Sequence, residues 1–352
     1  MKKIVLTSLA LGTLALGSAA LAQTSAQDLP KTQLKVVGGL SNLTAYQNTE
    51  QPFWTKTIPE LSGGQVTADI KGFNDMGLKG PEIMRLIGQG VIPFGTATLA
   101  YFASDNSINE AIDLAGLAPD IAVAKKLTDA FTPAYEQFYE KNNVKVLGFS
   151  TYPAQVLFCN GNFNGLADLK GKKVRTSSRT QAEFVQALGG NSVTIPFGEV
   201  VPALQNGVVD CAITGSMSGY SAKWYEVSSK LYKMPINWNQ QIHAANLSAW
   251  KKLDPKVQEF LASNIKVMTN QIWDAAAKET QEGYDCNTGA AACTQPLKGK
   301  MTLVEPTDAD RELLKKVMSE TVVPKWAERS SADTVAAFNA SLSPILGFEA
   351  KK

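Results

Sequence analysis

Arg175 is the residue with the clearest chemical prospect. It ends the run Lys173-Val174-Arg175, which reads as a short strand, and Thr176-Ser177-Ser178 follow as small hydroxyl residues opening a helix. In α/β proteins ligands sit in the crevice beyond the carboxyl ends of strands. A guanidinium there, beside backbone N–H groups at a helix start, suits a carboxylate through two parallel charge-assisted bonds. From spacing alone, a surface salt bridge competes on equal terms.

Catalytic patterns come up empty, so the chain is read as a binder and not an enzyme. Gly215-Ser216-Met217-Ser218-Gly219 has the outline of a nucleophile elbow, but its centre is Met. Ser263 and Lys266 match S-x-x-K without companion motifs. His243 is the chain's one histidine and has no Asp partner in sequence, which favours a satisfied structural residue. No phosphate loop and no metal-spaced cluster is present, so neither metal nor cofactor is expected.

Composition narrows the classes further. The 352 residues are 44% apolar and 19% charged, enough for two domains with real cores. Lys plus Arg is 34 and Asp plus Glu is 32. That balance argues against nucleic acid, which demands a basic excess. Lys2 and Lys3, the apolar run Val5 to Leu16 and Ala20-Leu21-Ala22 form a secretory signal peptide over 1–22, cleaved before Gln23. Its removal lowers the formal charge from +2 to zero and implies export to the periplasm. All four cysteines lie in the exported part, where an even count favours disulfides over metal or nucleophile roles. Cys286 and Cys293 bracket a Gly/Ala/Asn-rich stretch and pair locally, leaving Cys159 for Cys211. A loop-entropy model gives the long bridge about 4 kcal/mol and the short one about 2.5.

The elements that must position Arg175 alternate between strand and helix. Leu34 to Gly39, Gln65 to Ile70, Val91 to Thr98 and Val144 to Phe149 read as strands, with helices over Glu50 to Leu61, Pro81 to Gln89 and Asp120 to Asn142. Gln27 to Lys31 reads as a mobile lead-in. A second series follows: strands Gln155 to Cys159, Lys173 to Arg175, Val193 to Ile195 and Val208 to Ile213, a turn at Leu166 to Leu169, and helices Thr180 to Leu188 and Glu199 to Gln205. Alternation of this kind predicts crossover units and largely parallel sheets. The last third is mostly helical, from an N-cap and first-turn Pro at Asp254-Pro255 through Trp273 and beyond, and from a cap at Thr307 to Arg329. The fold class is therefore α/β: a two-lobed, type II-like clam-shell with long bracing helices. Lobe I takes 31–152 plus about 240–280, and lobe II takes 153–239 plus about 281–352.

Gly165-Leu166-Ala167-Asp168-Leu169-Lys170-Gly171-Lys172-Lys173-Val174-Arg175 resembles the central signature of TRAP-transporter solute receptors, the DctP-like family. The stretches 189–200 and 203–210 continue it in order, with supporting matches at 82–90 and 247–255. The resemblance implies a periplasmic receptor that closes on an organic anion and hands it to an ion-driven membrane permease. A ligand-presenting sensory receptor or an enzyme on the same scaffold is the alternative. The family's signature arginine maps to Arg175, and Glu199 maps to a residue that orients its neighbours.

Two departures bear on the ligand. Sialic-acid-type members carry a second Arg where this chain has Gln155, and an Asn where it has Thr214. One cationic contact fewer favours a single carboxylate, or a neutral second polar group. The bridge Cys159–Cys211 stiffens the platform behind Arg175. Aromatics near the predicted crevice are Tyr101, Phe102, Tyr152, Tyr220, Trp224 and Trp238, and they suit a flat or aromatic ligand body. From strand ends, Tyr101, Tyr152 and Trp238 are chosen as ligand contacts, with Asn239 and Gln241 as polar partners.

Overall fold

The structure is a computed structural model that describes residues 29–352, so the expected signal peptide lies outside the described residues. Among the described residues eleven strands form two sheets. The first sheet holds β1 (Thr32–Gly38), β2 (Val66–Gly72), β3 (Phe94–Thr98), β4 (Val144–Ser150) and β10 (Gln241–Asn246), in the order β2-β1-β3-β10-β4. The second holds β5 (Gln155–Cys159), β6 (Lys173–Thr176), β7 (Asn191–Thr194), β8 (Cys211–Gly215), β9 (Lys230–Tyr232) and β11 (Thr302–Val304), in the order β11-β9-β5-β8-β6-β7.

Each sheet carries one strand against the expected parallel grain. β10 runs antiparallel to both β3 and β4, and β5 runs antiparallel to both β8 and β9. Both strands follow a crossing between the sheets, so each enters its new sheet from the opposite end. The crossings are 151–154 and 233–240, two extended segments that lie side by side through the Gln155–Asn237 bridge. β8 begins three residues later than the pattern placed it. Gly207 takes a positive φ of 66°, and the Asp210 carboxylate accepts Lys173 N, so 207–210 turn before the strand starts.

Helix ends follow local chemistry. Asp120 caps Ile121–Lys141 by accepting Val123 N, and Asp254 caps Pro255–Thr288 by accepting Lys256 N. Thr307 and Asp310 form a reciprocal capping box for Asp308–Val317. Asp310 has a second role, because its Oδ1 also accepts Leu166 N from the second lobe at 2.9 Å. The expected single helix to Arg329 passes through a π-wound turn at Met318–Val322.

The 34-residue helix Pro255–Thr288 braces the molecule. Val257, Leu261, Ile265, Met268 and Ile272 recur at helical spacing and bury against the first lobe's core with Trp54, Phe94 and Trp250. Leu29 joins that core, so the expected mobile lead-in is anchored from its third residue. The far end of the helix belongs to the second sheet's side. Ser216 Oγ donates to Thr280 O at 2.9 Å, and Asn287 Nδ2 to Ser216 O at 2.9 Å. Gly283 is required there, since a Cβ would strike the backbone of Ser216 and Met217. The helix Ala332–Ser341 returns to pack on Ile121–Lys141.

Candidate ligand-binding site

The two sheets face one another across a narrow cavity lined by Leu40, Leu43, Tyr101, Tyr152, Gln155, Arg175, Ser177, Phe197, Thr214, Ser218 and Asn239. Six of the eight residues chosen from sequence meet there: Arg175, Gln155, Thr214, Tyr101, Tyr152 and Asn239. The cleft widens outward past Arg175 toward Lys79, Ser104 and Arg179. At its rim Lys79 Nζ and Glu199 Oε1 pair at 3.3 Å, one residue from each lobe. Glu199 thus orients a latch and not the ligand platform.

Arg175 is 1% exposed and built into the second sheet. Its Nε donates to Ile195 O at 2.9 Å and its Nη1 to Ile213 O at 2.7 Å, and its guanidinium lies 5.9 Å from the Trp224 ring. Among the described residues no carboxylate forms an ion pair with it. Burial lowers its pKa to about 10, so it stays cationic at neutral pH. Behind it, Cys159 and Cys211 are opposite partners of β5 and β8 and are disulfide-bonded. Cys286 and Cys293 are bonded as well. The backbone N–H groups expected to help Arg175 are already used. Ser177 N donates to Gln181 Oε1 at 2.8 Å, and Gln181 N to Ser178 Oγ at 3.2 Å.

Asp113 organises the crossing strand beneath the cavity. Its carboxylate accepts Asn237 Nδ2 at 2.7 Å, Trp238 N at 2.8 Å and Asn239 N at 2.8 Å. Burial pushes its pKa up to about 7, and the three donors pull the other way. Asn239 is held at φ 59°, which Asn tolerates better than most residues. Its Nδ2 reaches Gln155 Oε1 at 3.3 Å and Ser177 Oγ at 3.2 Å. No spacing pattern pointed to Asp113, which lies 124 residues from Asn237.

Two chosen residues do not line the cavity. Trp238 turns its indole into the core, donating from Nε1 to Ala118 O at 3.1 Å, while its backbone N–H donates to Asp113 Oδ1 at 2.8 Å. Gln241 sits behind Tyr152, donating from Nε2 to the Tyr152 hydroxyl at 2.8 Å. Of the other aromatics, Phe102 and Trp224 are core, and Tyr220 stacks on Tyr225. Tyr101 abuts Gly80, whose φ is 107° and where a Cβ would strike the ring. The missed lining residues are Leu40, Leu43 and Phe197, which carry no chemical signature of their own, Ser177, read only as part of a helix opening, and Ser218, which sits in the short helix Ser216–Ser221.

His243 lies inside β10. It is 4% exposed, with Nδ1 2.8 Å from Thr96 Oγ1 and Nε2 2.8 Å from Ser150 Oγ, and burial lowers its pKa to about 3. Both ring nitrogens are satisfied, as a structural histidine requires. Among the described residues no cluster of His, Cys, Asp and Glu is placed to hold a metal, and no helix is long and apolar enough to cross a membrane.

Two sheets exchanging strands around a cavity with one buried guanidinium are the architecture of a two-lobed solute-binding protein. The chain belongs to the bacterial extracellular solute-binding protein family 7, DctP, whose model matches residues 41–329. Its members are substrate-binding receptors of TRAP transport systems and not enzymes. A solute-binding protein of Sulfitobacter sp. strain NAS-14.1 is 25% identical over 230 residues, 60% of this chain and 66%, just under two thirds, of that protein. The 2,3-diketo-L-gulonate-binding periplasmic protein YiaO of Escherichia coli K12 is 28% identical over 120 residues, 34% of this chain and 37% of that protein. A Bordetella pertussis extracytoplasmic solute receptor binding pyroglutamic acid, DctP7, superposes with TM-score 0.78 at 20% identity, covering 87% of this chain and 99% of that one. A Desulfovibrio salexigens TRAP solute-binding protein with bound orotic acid gives 0.77 at 19%, covering 89% and 99%.

Proposed function

We propose that this protein is a periplasmic receptor that captures a small organic acid, holds one carboxylate on Arg175 and delivers the ligand to TRAP membrane permease subunits. One observation carries the reading. Arg175 is fully buried and charged in an interlobe cavity, and among the described residues no acidic side chain pairs with it. A buried charge without a partner is costly, and an anionic ligand supplies that partner. The bound ligands of structural relatives support the class: pyroglutamate, orotate and, in a Haemophilus influenzae protein, L-gulonate. Each is a small carboxylic acid.

In this reading residues 1–22 are a cleaved export signal, and the lobes are 31–152 with about 240–280 and 153–239 with about 281–352. Sheet membership supports that division, since β10 completes the first sheet and β11 the second. Gln155, Thr214 and Asn239 give neutral polar contacts around the carboxylate, with Tyr101 and Tyr152 against the ligand body. The two crossing segments and the helix Pro255–Thr288 let the lobes part and close.

The test is a thermal-shift screen of pyroglutamate, orotate, gulonate, galacturonate and dicarboxylates against the mature chain and Arg175→Ala. A ligand that binds only the folded form raises Tm. Stabilisation of the wild type by a monocarboxylate, lost in the variant, supports the proposal. Equal shifts in both proteins would sink the site assignment.

A further inference from the structure

A single file of hydrogen bonds runs through the first lobe from a buried acid to the cavity wall. Glu50 is 2% exposed, and its Oε2 accepts Gly39 N at 2.9 Å. Glu50 Oε1 lies 2.5 Å from Thr96 Oγ1, which lies 2.8 Å from His243 Nδ1. His243 Nε2 lies 2.8 Å from Ser150 Oγ, which lies 3.3 Å from Gln241 Oε1. Gln241 Nε2 then meets the Tyr152 hydroxyl at 2.8 Å. The file uses no backbone group after Glu50, and it ends on a phenol that lines the cavity with Arg175.

Each link needs one proton, and counting them orders the whole file. Gln241 Oε1 is an acceptor only, so Ser150 must donate to it. Ser150 then accepts from His243 Nε2–H. A neutral ring leaves Nδ1 bare, so Thr96 donates to it. Thr96 has no second proton, and Glu50 must supply its own as a carboxylic acid. Putting that proton on the ring instead would leave a buried ion pair. Burial argues against it, raising Glu50 to about 7 and lowering His243 to about 3. At the far end, Gln241 Nε2 donates to the phenolic oxygen at 2.8 Å. The phenol's own hydrogen is left for the cavity.

We infer that the file Glu50–Thr96–His243–Ser150–Gln241 fixes Tyr152 as a hydrogen-bond donor into the cavity, so that Tyr152 selects ligands presenting an accepting oxygen there. The inference rests on the cavity being the ligand site. Glu50, Thr96, His243, Ser150 and Gln241 are positioning residues, and Tyr152 is the contact.

Loss of one proton reverses the file. Ionised Glu50 takes the Thr96 hydrogen, and His243 gives Nδ1–H to Thr96 and accepts Ser150 on Nε2. The Gln241 amide then turns to donate to Ser150 and to accept the Tyr152 hydrogen. The donor is withdrawn from the cavity. The other titratable groups around Glu50 are Tyr46 on its own helix, Asp75 beyond Tyr46, Glu279 of the long helix through Thr44, and Tyr152 at the far end. Among the described residues no lysine or arginine pairs with Glu50.

Because the chain holds one histidine, ¹⁵N labelling of tag-free protein gives a single imidazole to read. The expected spectrum is the Nε2–H tautomer at about pH 6, changing to Nδ1–H as pH passes about 7. Glu50→Gln, whose amide mimics the acid, keeps Nε2–H throughout. An imidazolium at neutral pH, or Nδ1–H at about pH 6, overturns the proton order. Calorimetry with whichever of pyroglutamate, orotate or gulonate binds reads the contact. Wild-type affinity falls about tenfold from about pH 6 to about pH 8, and it is flat with pH in Glu50→Gln and Tyr152→Phe. Tight, Arg175-dependent binding with a flat wild-type profile overturns this inference alone. Binding of none of the acids overturns the proposed function and the Tyr152 contact together, and the tautomer still decides the order of the file.

Discussion

Arg175 Nη1 donates to the carbonyl oxygen of Ile213 at 2.7 Å, tying the guanidinium to the strand beside its own. With Nε on Ile195 O, two sides of the fork are committed to protein, and the remaining donors are held in one orientation. This preorganisation removes the rotamer entropy a free arginine would lose on binding.

Arg175→Ala should therefore fail twice. Carboxylate affinity falls by about 3 kcal/mol, a hundredfold or more, because a desolvated anion loses its charged partner. Folding stability also falls by about 2 kcal/mol, because Ile195 O and Ile213 O lose their donor. Arg175→Lys keeps the charge but not the fork, and should recover little of either. Calorimetry and urea unfolding on the three proteins separate the two effects.

Asp113→Ala strips the acceptor from Asn237 Nδ2, Trp238 N and Asn239 N at once. Three buried donors left unpaired should cost about 3 kcal/mol or more. The crossing segment should loosen first. Hydrogen exchange should rise at 237–239 before it rises in β10, and equal protection across both would count against a local role for Asp113.

Lys79→Ala opens the latch to Glu199 across the cleft. Both side chains are more than half exposed, so the pair contributes less than about 1 kcal/mol. Ligand release should speed up by less than about fivefold, and the difference should vanish at high salt. Stopped-flow dissociation at two ionic strengths checks both parts.

Glu50 gives stability a definite slope with pH. Its folded-state pKa is raised from 4.5 to about 7 by burial. Between those values the folded protein holds a proton that the unfolded chain has released, so this contribution to stability falls as pH rises through the window and is level above it. Glu50→Gln removes it. The variant should gain on the wild type as pH rises, by up to about 3 kcal/mol above about pH 7. Urea midpoints of both proteins at about pH 5 and about pH 8 test this, and a gap that does not change with pH would falsify it.

Short-range grammar made much of the molecule legible in its sequence. Asp254 and Thr307 announced their helices, because a cap needs only a side-chain oxygen two or three residues from an unpaired N–H. The cysteine pairing followed from one short loop and an even count. Arg175 was visible at a strand end, and its family signature lay in a contiguous run. Tertiary packing decided what no local period encodes. Gln241–Asn246 is buried on both faces and has no alternation, so β10 and the antiparallel insertion of His243 were unread. Trp238 and Tyr152 look alike as aromatics near strand ends. Partners from another part of the chain, Ala118 O for the indole and the Asp113 carboxylate for the backbone, hold one in the core while the other faces the cavity. The Glu50 file joins residues up to 147 positions apart. Its proton order depends on burial and on which atom of each side chain meets the next, and those become definite only when the lobes are folded.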